Sequence, residues 1–126
     1  MRAVDTHVLV RLLARDDLKQ VEAAEAFVAR GAWVSHLVLA EVTWVLDSVY
    51  GLKPSGIASA VGLLLEHRDL TIQEPDVVAR ALDQFRKRPG LGFSDCLVLE
   101  IARQAGHLPL GTLDRDLSRA DGAERI

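Results

Sequence analysis

A short parallel sheet covered by helices, and so an α/β class, is what the apolar patterning of the chain predicts. Brief apolar runs alternate along the sequence with longer segments of helical spacing, and no repeat or low-complexity tract competes with that assignment. The 126 residues contain no extended polar or Pro/Gly-rich linker, so residues 1–126 are expected to form a single domain, with no room for a second.

Ala3-Val4 begins the first strand, which is expected to end near Asp5-Thr6. Val8, Leu9, Leu12 and Leu13 then recur at helical spacing, placing Asp5 at a strand-to-helix junction. A second helix, Leu18 to Ala29, carries Val21, Ala24, Phe27 and Val28 on an apolar stripe and stops at Gly31. Ala32-Trp33-Val34 is the next strand, and Ser35 is the expected N-cap of a helix from His36 towards Tyr50. Pro54 suits the first turn of a further helix, with Ile57, Val61, Leu64 and Leu65 on its buried side, before a strand at Leu70-Thr71-Ile72. Glu74-Pro75-Asp76 opens a helix through Val77, Val78, Ala81, Leu82 and Phe85 that halts at Pro89-Gly90. Ser94 is the expected N-cap of a helix from Asp95 to about Gln104. Leu108-Pro109-Leu110 reads as a short strand with its Pro at an edge or near an end; a helical turn near Asp116 to Arg119 and a strand at Glu124-Arg125-Ile126 close the chain.

Apolar residues make up 49 % of the chain, which argues against disorder, while the longest apolar runs fall far short of a membrane span. The N-terminal apolar run contains an acid and lacks a small-residue cleavage site, so it is a poor signal peptide and a cytoplasmic protein is expected. Cys96 is the only cysteine, which excludes an internal disulfide; a small core residue is its preferred account. The formal charge of −3 argues against a generally basic nucleic-acid binder. Setting four candidate ligand acids aside, however, leaves fourteen acids against fifteen bases. The remaining surface is then nearly neutral and locally basic, densest at Arg86-Lys87-Arg88, a run whose position before a Pro-Gly stop also suits a helix C-terminus.

Those four acids are Asp5, Glu41, Asp95 and Asp114, each beside or inside an apolar segment. Glu41 stands out because its helical neighbours at i−4, i−3, i+3 and i+4 are Leu37, Val38, Trp44 and Val45, which predicts a carboxylate in apolar surroundings, with Trp44 buried. In an open α/β sheet the carboxyl ends of parallel strands share one edge, where ligands gather. Asp5 closes the first strand, Asp95 opens a helix, Asp114 follows the Leu108 to Leu113 segment, and Glu41 must reach back from about two turns into its helix. Asp116 can take over the fourth role or assist it. Converging carboxylates make chemical sense around a divalent cation, which offsets their desolvation and mutual repulsion. They are hard oxygen donors suited to Mg²⁺, with Mn²⁺ as substitute, and such an ion supports phosphodiester hydrolysis. Asp5 and Asp95 are read as direct ligands, Glu41 and Asp114 as ligands of a second ion or holders of ligated waters. Each also has a bland alternative: capping for Asp5, Asp95 and Asp114, and a Lys or Arg partner for Glu41.

His7, His36, His67 and His107 lack zinc-site spacing, with His36 and His67 expected to serve local structure, and the glycines form neither GxGxxG nor a Walker A motif. The aromatic residues form no track for stacking bases; Arg11 and Arg15, near Asp5, are candidates for contacting a phosphate backbone.

The run Ala3-Val4-Asp5-Thr6-His7-Val8-Leu9-Val10-Arg11-Leu12-Leu13 resembles the first strand and acidic turn of the PIN-domain family, more narrowly of VapC-like toxins of prokaryotic type II toxin-antitoxin systems. Leu39-Ala40-Glu41-Val42-Thr43-Trp44-Val45-Leu46, Phe93-Ser94-Asp95-Cys96-Leu97 and Gly111-Thr112-Leu113-Asp114-Arg115-Asp116-Leu117 are similar to its second, third and fourth acidic motifs, in order over nearly the whole chain. The resemblance implies a three-layer α/β/α sandwich with a short, mostly parallel sheet. It also implies a Mg²⁺-dependent ribonuclease site of Asp5, Glu41, Asp95 and Asp114, a homodimer, and a small cognate antitoxin that holds the enzyme inactive. His7 departs from the pattern, which usually has Asn or Ser after the Asp-Thr pair, and imidazole changes the hydrogen bonding available beside Asp5. Thr112 matches a frequent hydroxyl position from which Asp114 or a ligated water can be oriented, the alternative being a buried Thr bonded to the backbone. The alternatives are a DNA or flap-type nuclease, in which the carboxylates would look the same, and a non-catalytic interaction module on the same scaffold.

Overall fold

The computed structural model describes all residues 1–126, which divide into two compact units, Met1–Pro75 and Asp76–Ile126. In the first, strands β1 (Arg2–Ala3), β2 (Ala32–Val34) and β3 (Leu70–Ile72) form a parallel sheet in the order β1-β2-β3. The register pairs Ala3 with Trp33, and Trp33 with Thr71. Crossovers are made by helices α1 (Thr6–Ala14) and α2 (Leu18–Val28), then by α3 (His36–Ser48) and α4 (Pro54–Glu66). Within β2 the alternation is clear: Ala32 and Val34 are buried while Trp33 between them is exposed, as a period-2 strand requires.

Local sequence accounts for the helix boundaries. Asp5 holds extended geometry as the N-cap of α1, whose last turn ends at Arg15 in the left-handed region, φ 53°. Asp17 caps α2 by accepting from Gln20 N, and Ser35 caps α3 by accepting from Val38 N at 3.1 Å, the role its position predicts. Pro54 occupies the first turn of α4, where its missing N–H leaves no carbonyl unpaired.

The second unit holds α5 (Pro75–Lys87, its first residue at the boundary), a 3-10 turn at Pro89–Leu91, α6 (Phe93–Ala105), β4 (Leu110–Thr112), a 3-10 turn at Leu117–Arg119, and β5 (Ala123–Arg125). β4 and β5 pair in parallel, Leu110 with Ala123 and Thr112 with Arg125. Two expectations shift here. α6 starts at Phe93, with Gly92 and not Ser94 as its cap: Gly92 takes φ 73°, a conformation open to glycine, and so turns the chain two residues earlier. The early start lets Phe93 bury itself edge-on against Phe85 of α5, centroids 6.0 Å apart. Pro109, for its part, precedes β4 instead of lying within the strand. No helix is long and apolar enough to cross a membrane.

Candidate functional site

Asp5 follows β1 by two residues, at the carboxyl edge of the parallel sheet. Its Oδ1 accepts from the backbone N–H of Thr6 at 2.6 Å, so the capping role and the edge position coexist. The Thr6 side chain is buried, and its hydroxyl donates to Glu41 Oε2 at 3.0 Å across 35 residues of sequence. Glu41 on α3 therefore reaches back to the first residue of α1, beside Asp5. Thr6 is the connector between the two acids.

The surroundings of Glu41 differ from expectation. It is exposed, and so are its neighbours Leu37 (70 %) and Trp44 (65 %), so Trp44 is not a core residue. α3 is apolar on two faces, and packing selects the stripe of His36, Leu39, Val42, Thr43 and Leu46 for burial, leaving the face with Leu37, Glu41 and Trp44 open. Nor does any Lys or Arg pair with Glu41.

In the second unit Asp95 lies in the first turn of α6 and is half-buried. Burial holds its carboxyl above the usual carboxylate range, and the nearby negative charge of Asp114 pushes it in the same direction. Asp114 Oδ1 accepts from Leu117 N at 2.9 Å, capping the following 3-10 turn, while its own N–H donates to Thr112 Oγ1 at 3.0 Å. The Thr112 hydroxyl thus bonds the backbone of Asp114 and not its carboxylate, which is the structural alternative to an orienting role. Asp116 is exposed and makes no side-chain cap.

The structure brings the acids together as Asp5 with Glu41, through Thr6, and Asp95 with Asp114, through their charges. No group of three or more His, Cys, Asp or Glu side chains is disposed to hold a metal ion. The donor chemistry nonetheless fits a hard divalent cation. None of the four carboxylates forms an ion pair, and one oxygen each of Asp5, Glu41 and Asp114, with both of Asp95, carries no protein hydrogen bond. Mg²⁺ is commonly held by only one or two carboxylates, water and substrate phosphate completing its shell.

The bases divide sharply. Arg11 donates to Gln20, Asp16 and Tyr50, and Arg15 pairs with Glu25 at 3.0 Å, so both candidates for backbone contact near Asp5 have internal partners. Arg86, Lys87, Arg88, Arg115 and Arg119 have none. His36 Nε2 lies 2.7 Å from the Gln73 carbonyl, and His67 Nδ1 accepts from Asp69 N, the local roles expected of both. Cys96 is a buried core residue whose thiol is pushed up to about 11, first by burial and then by the charges of Asp95 and Glu100.

Sequence reasoning passed over Thr6 and Glu100. Thr6 is the polar member of the stripe that buries Leu9 and Val10, a position that asks for a specific partner. Glu100 is the one deeply buried carboxylate, 2 % exposed, and joins α6 to α5 by accepting from Gln84 at 2.9 Å and pairing with Arg80 and Arg103. Cys96 and Leu97, one turn before Glu100 on α6, were the signal for its burial.

Parallel α/β architecture with unpaired acids at strand ends and helix starts defines a class of domain suited to divalent-cation chemistry. The chain belongs to the PIN domain family, which matches residues 2–123, and its fold is of the PIN-like α/β/α class with a short, mostly parallel sheet. Membership associates it with nucleases. No curated protein and no solved structure matches the chain.

Proposed function

We propose that this protein is a Mg²⁺-dependent endoribonuclease, with Mn²⁺ as a substitute, that hydrolyses RNA phosphodiester bonds as the toxin of a toxin-antitoxin pair in the cytoplasm. The observation that carries the proposal is membership of the PIN domain family over residues 2–123 together with four carboxylates, Asp5, Glu41, Asp95 and Asp114, none of them neutralised by a protein cation, with Asp95 held above its ordinary range beside Asp114. Acids left crowded and unpaired are disfavoured unless a bound cation offsets their repulsion.

When bound, the cation supplies positive charge for the phosphoryl oxygens and acidifies an attacking water. Asp5, Glu41, Asp95 and Asp114 are the residues that would hold it. Thr6 fixes the rotamer of Glu41 through its hydroxyl, so that the carboxylate meets its ligand already oriented. Thr112 bonds the backbone of the turn that carries Asp114.

Partners belong to the proposal too: a homodimer and a small antitoxin whose basic side chain enters the acidic site. The exposed apolar side chains Leu37, Trp44 and Val49 on and just after α3, flanking Glu41, support a protein-binding surface there. Co-purification with the product of an adjacent small reading frame, followed by mass measurement, tests this; a monomer indifferent to that product refutes both partners.

Cleavage mapping in cells after induced expression tests the activity. Discrete cuts in RNA that vanish with Glu41→Gln support it. A second reading, a non-catalytic PIN-like interaction module, is favoured by the absence of a three-ligand cluster. It predicts RNA or protein binding with no metal-dependent cuts. Cleavage of single-stranded or branched DNA in preference to RNA would point instead to a DNA or flap-type nuclease.

A further inference from the structure

The second unit contains a cleft of about 400 Å³ lined by Arg88, Gly90, Leu91, Asp116 and Arg119. That volume falls within the rough 300–1,000 Å³ range of small-ligand sites. Both guanidiniums are exposed, and neither forms an ion pair or donates a hydrogen bond, whereas Arg80 and Arg103 in the same unit are tied to Glu100. Asp116 shares the cleft yet lies beyond ion-pair distance of either arginine, so the net charge is positive and the three groups keep their bonding capacity. The wall at Gly90 faces open space, where a Cβ would meet nothing within 4 Å, and buried Leu91 gives an apolar floor.

The cleft is also tied to the acid pair. Asp116 follows Asp114 by two residues, and the charge of Arg88 is felt at Cys96, the residue after Asp95. A guanidinium presents a planar fork that matches a phosphate's oxygens, and two of them flanking an open cleft suit a phosphodiester better than a lone point charge. A carboxylate beside a bound phosphate is repulsive unless it accepts from a hydroxyl on the same ligand. A ribose 2′-hydroxyl is such a donor and is the group that distinguishes RNA from DNA.

The geometry points to this cleft as a subsite for one ribose-phosphate unit of an RNA strand, with Arg88 and Arg119 on the phosphate and Asp116 on the 2′-hydroxyl. The inference rests on the nuclease reading for its choice of substrate and adds to it the residues that select ribose. Binding without cleavage is the test. Fluorescence anisotropy in EDTA, over a salt series, compares a single-stranded RNA and a DNA of the same sequence on wild type, Arg88→Ala, Arg119→Ala and Asp116→Ala. Each arginine variant is expected to weaken RNA binding about three- to tenfold and to lower the salt slope by about 0.7. Asp116→Ala, which removes the acceptor oxygens, is expected to narrow the RNA-over-DNA preference. Unchanged affinity and slope in both arginine variants overturns the phosphate assignment, and an unchanged preference in Asp116→Ala overturns the hydroxyl one. Wild-type cleavage of the same RNA with Mg²⁺ is scored separately. Cleavage with unaltered variant binding removes the subsite alone, whereas altered binding with no cleavage removes the nuclease reading and leaves the subsite.

Discussion

Glu100→Gln removes one negative charge from the most deeply buried polar cluster of the chain. The Glu100 side chain is 3 % exposed, with Arg103 Nε at 3.2 Å and Arg80 Nε at 3.5 Å, and those arginines are 30 % and 42 % exposed. Breaking a fully buried pair costs about 3–5 kcal/mol, but partly solvated guanidiniums can rehydrate, which lowers the expected loss to about 2–3 kcal/mol. The substitution keeps volume, and Gln84 retains an oxygen to which it can donate, so the loss reports charge and not a cavity. At roughly 2.1 cal/mol/K per residue, a chain of 126 residues has an unfolding entropy near 0.26 kcal/mol/K, which predicts a fall in Tm of about 8–11 °C. Melting by circular dichroism, with urea unfolding as a second measure, gives the number. Arg80→Ala, at the more solvated end, is expected to cost about 1 kcal/mol or less. A fall under 2 °C for Glu100→Gln would refute the reasoning that this carboxylate anchors α6 to α5.

Three further expectations concern the acids and their neighbours. Thr6→Val, near-isosteric, should cost about 1 kcal/mol in stability through the lost Glu41 bond and reduce RNA cleavage roughly tenfold, as measured by melting and by initial rates. Asp95→Asn should leave the metal-free protein as stable or more stable at neutral pH. The raised carboxyl favours folding below its ordinary range, and that contribution is lost as pH rises through the folded value, so the Tm advantage of the variant in EDTA should grow from acid to neutral pH. Excess Mn²⁺ should raise the wild-type Tm more than that of Asp95→Asn, and equal shifts would mean Asp95 is no ligand. Cys96, with its thiol pushed up to about 11 and its side chain buried, should resist alkylation at pH 8 in the folded protein and react at once in urea; rapid labelling of the native state would contradict its core placement.

Caps and periodicities made much of the fold legible. Ser35, Pro54 and Asp5 act where the sequence places them, and the strands at Ala32–Val34 and Leu70–Ile72 lie where short apolar runs interrupt helical spacing. Glu41 shows where such reasoning fails: a helix apolar on two faces does not reveal which one is buried, so the anomaly inferred from Leu37 and Trp44 lay on the exposed side. Its reach back towards Asp5, ending on the Thr6 hydroxyl at the start of α1, follows strand polarity and side-chain length and does not depend on burial. Gly92 displaced Ser94 as a cap because backbone conformation at positive φ outranks side-chain capping preference, and nothing in Phe93 alone announces its pairing with Phe85. Thr6 and Glu100 escaped notice for a shared reason: Glu41 lies 35 residues from Thr6, and Gln84 and Arg80 lie on a different helix from Glu100, and periodicity carries no information about such pairs.

The most direct test of the central claim is cleavage of an end-labelled RNA by purified wild-type protein with Mg²⁺ or Mn²⁺, beside EDTA and the variants Asp5→Asn and Glu41→Gln. Metal-dependent cleavage lost in EDTA and in both variants, while their melting temperatures stay within a few degrees of wild type, is the predicted result. Full activity retained by contamination-controlled Asp5→Asn, or equal activity with and without EDTA, would contradict it.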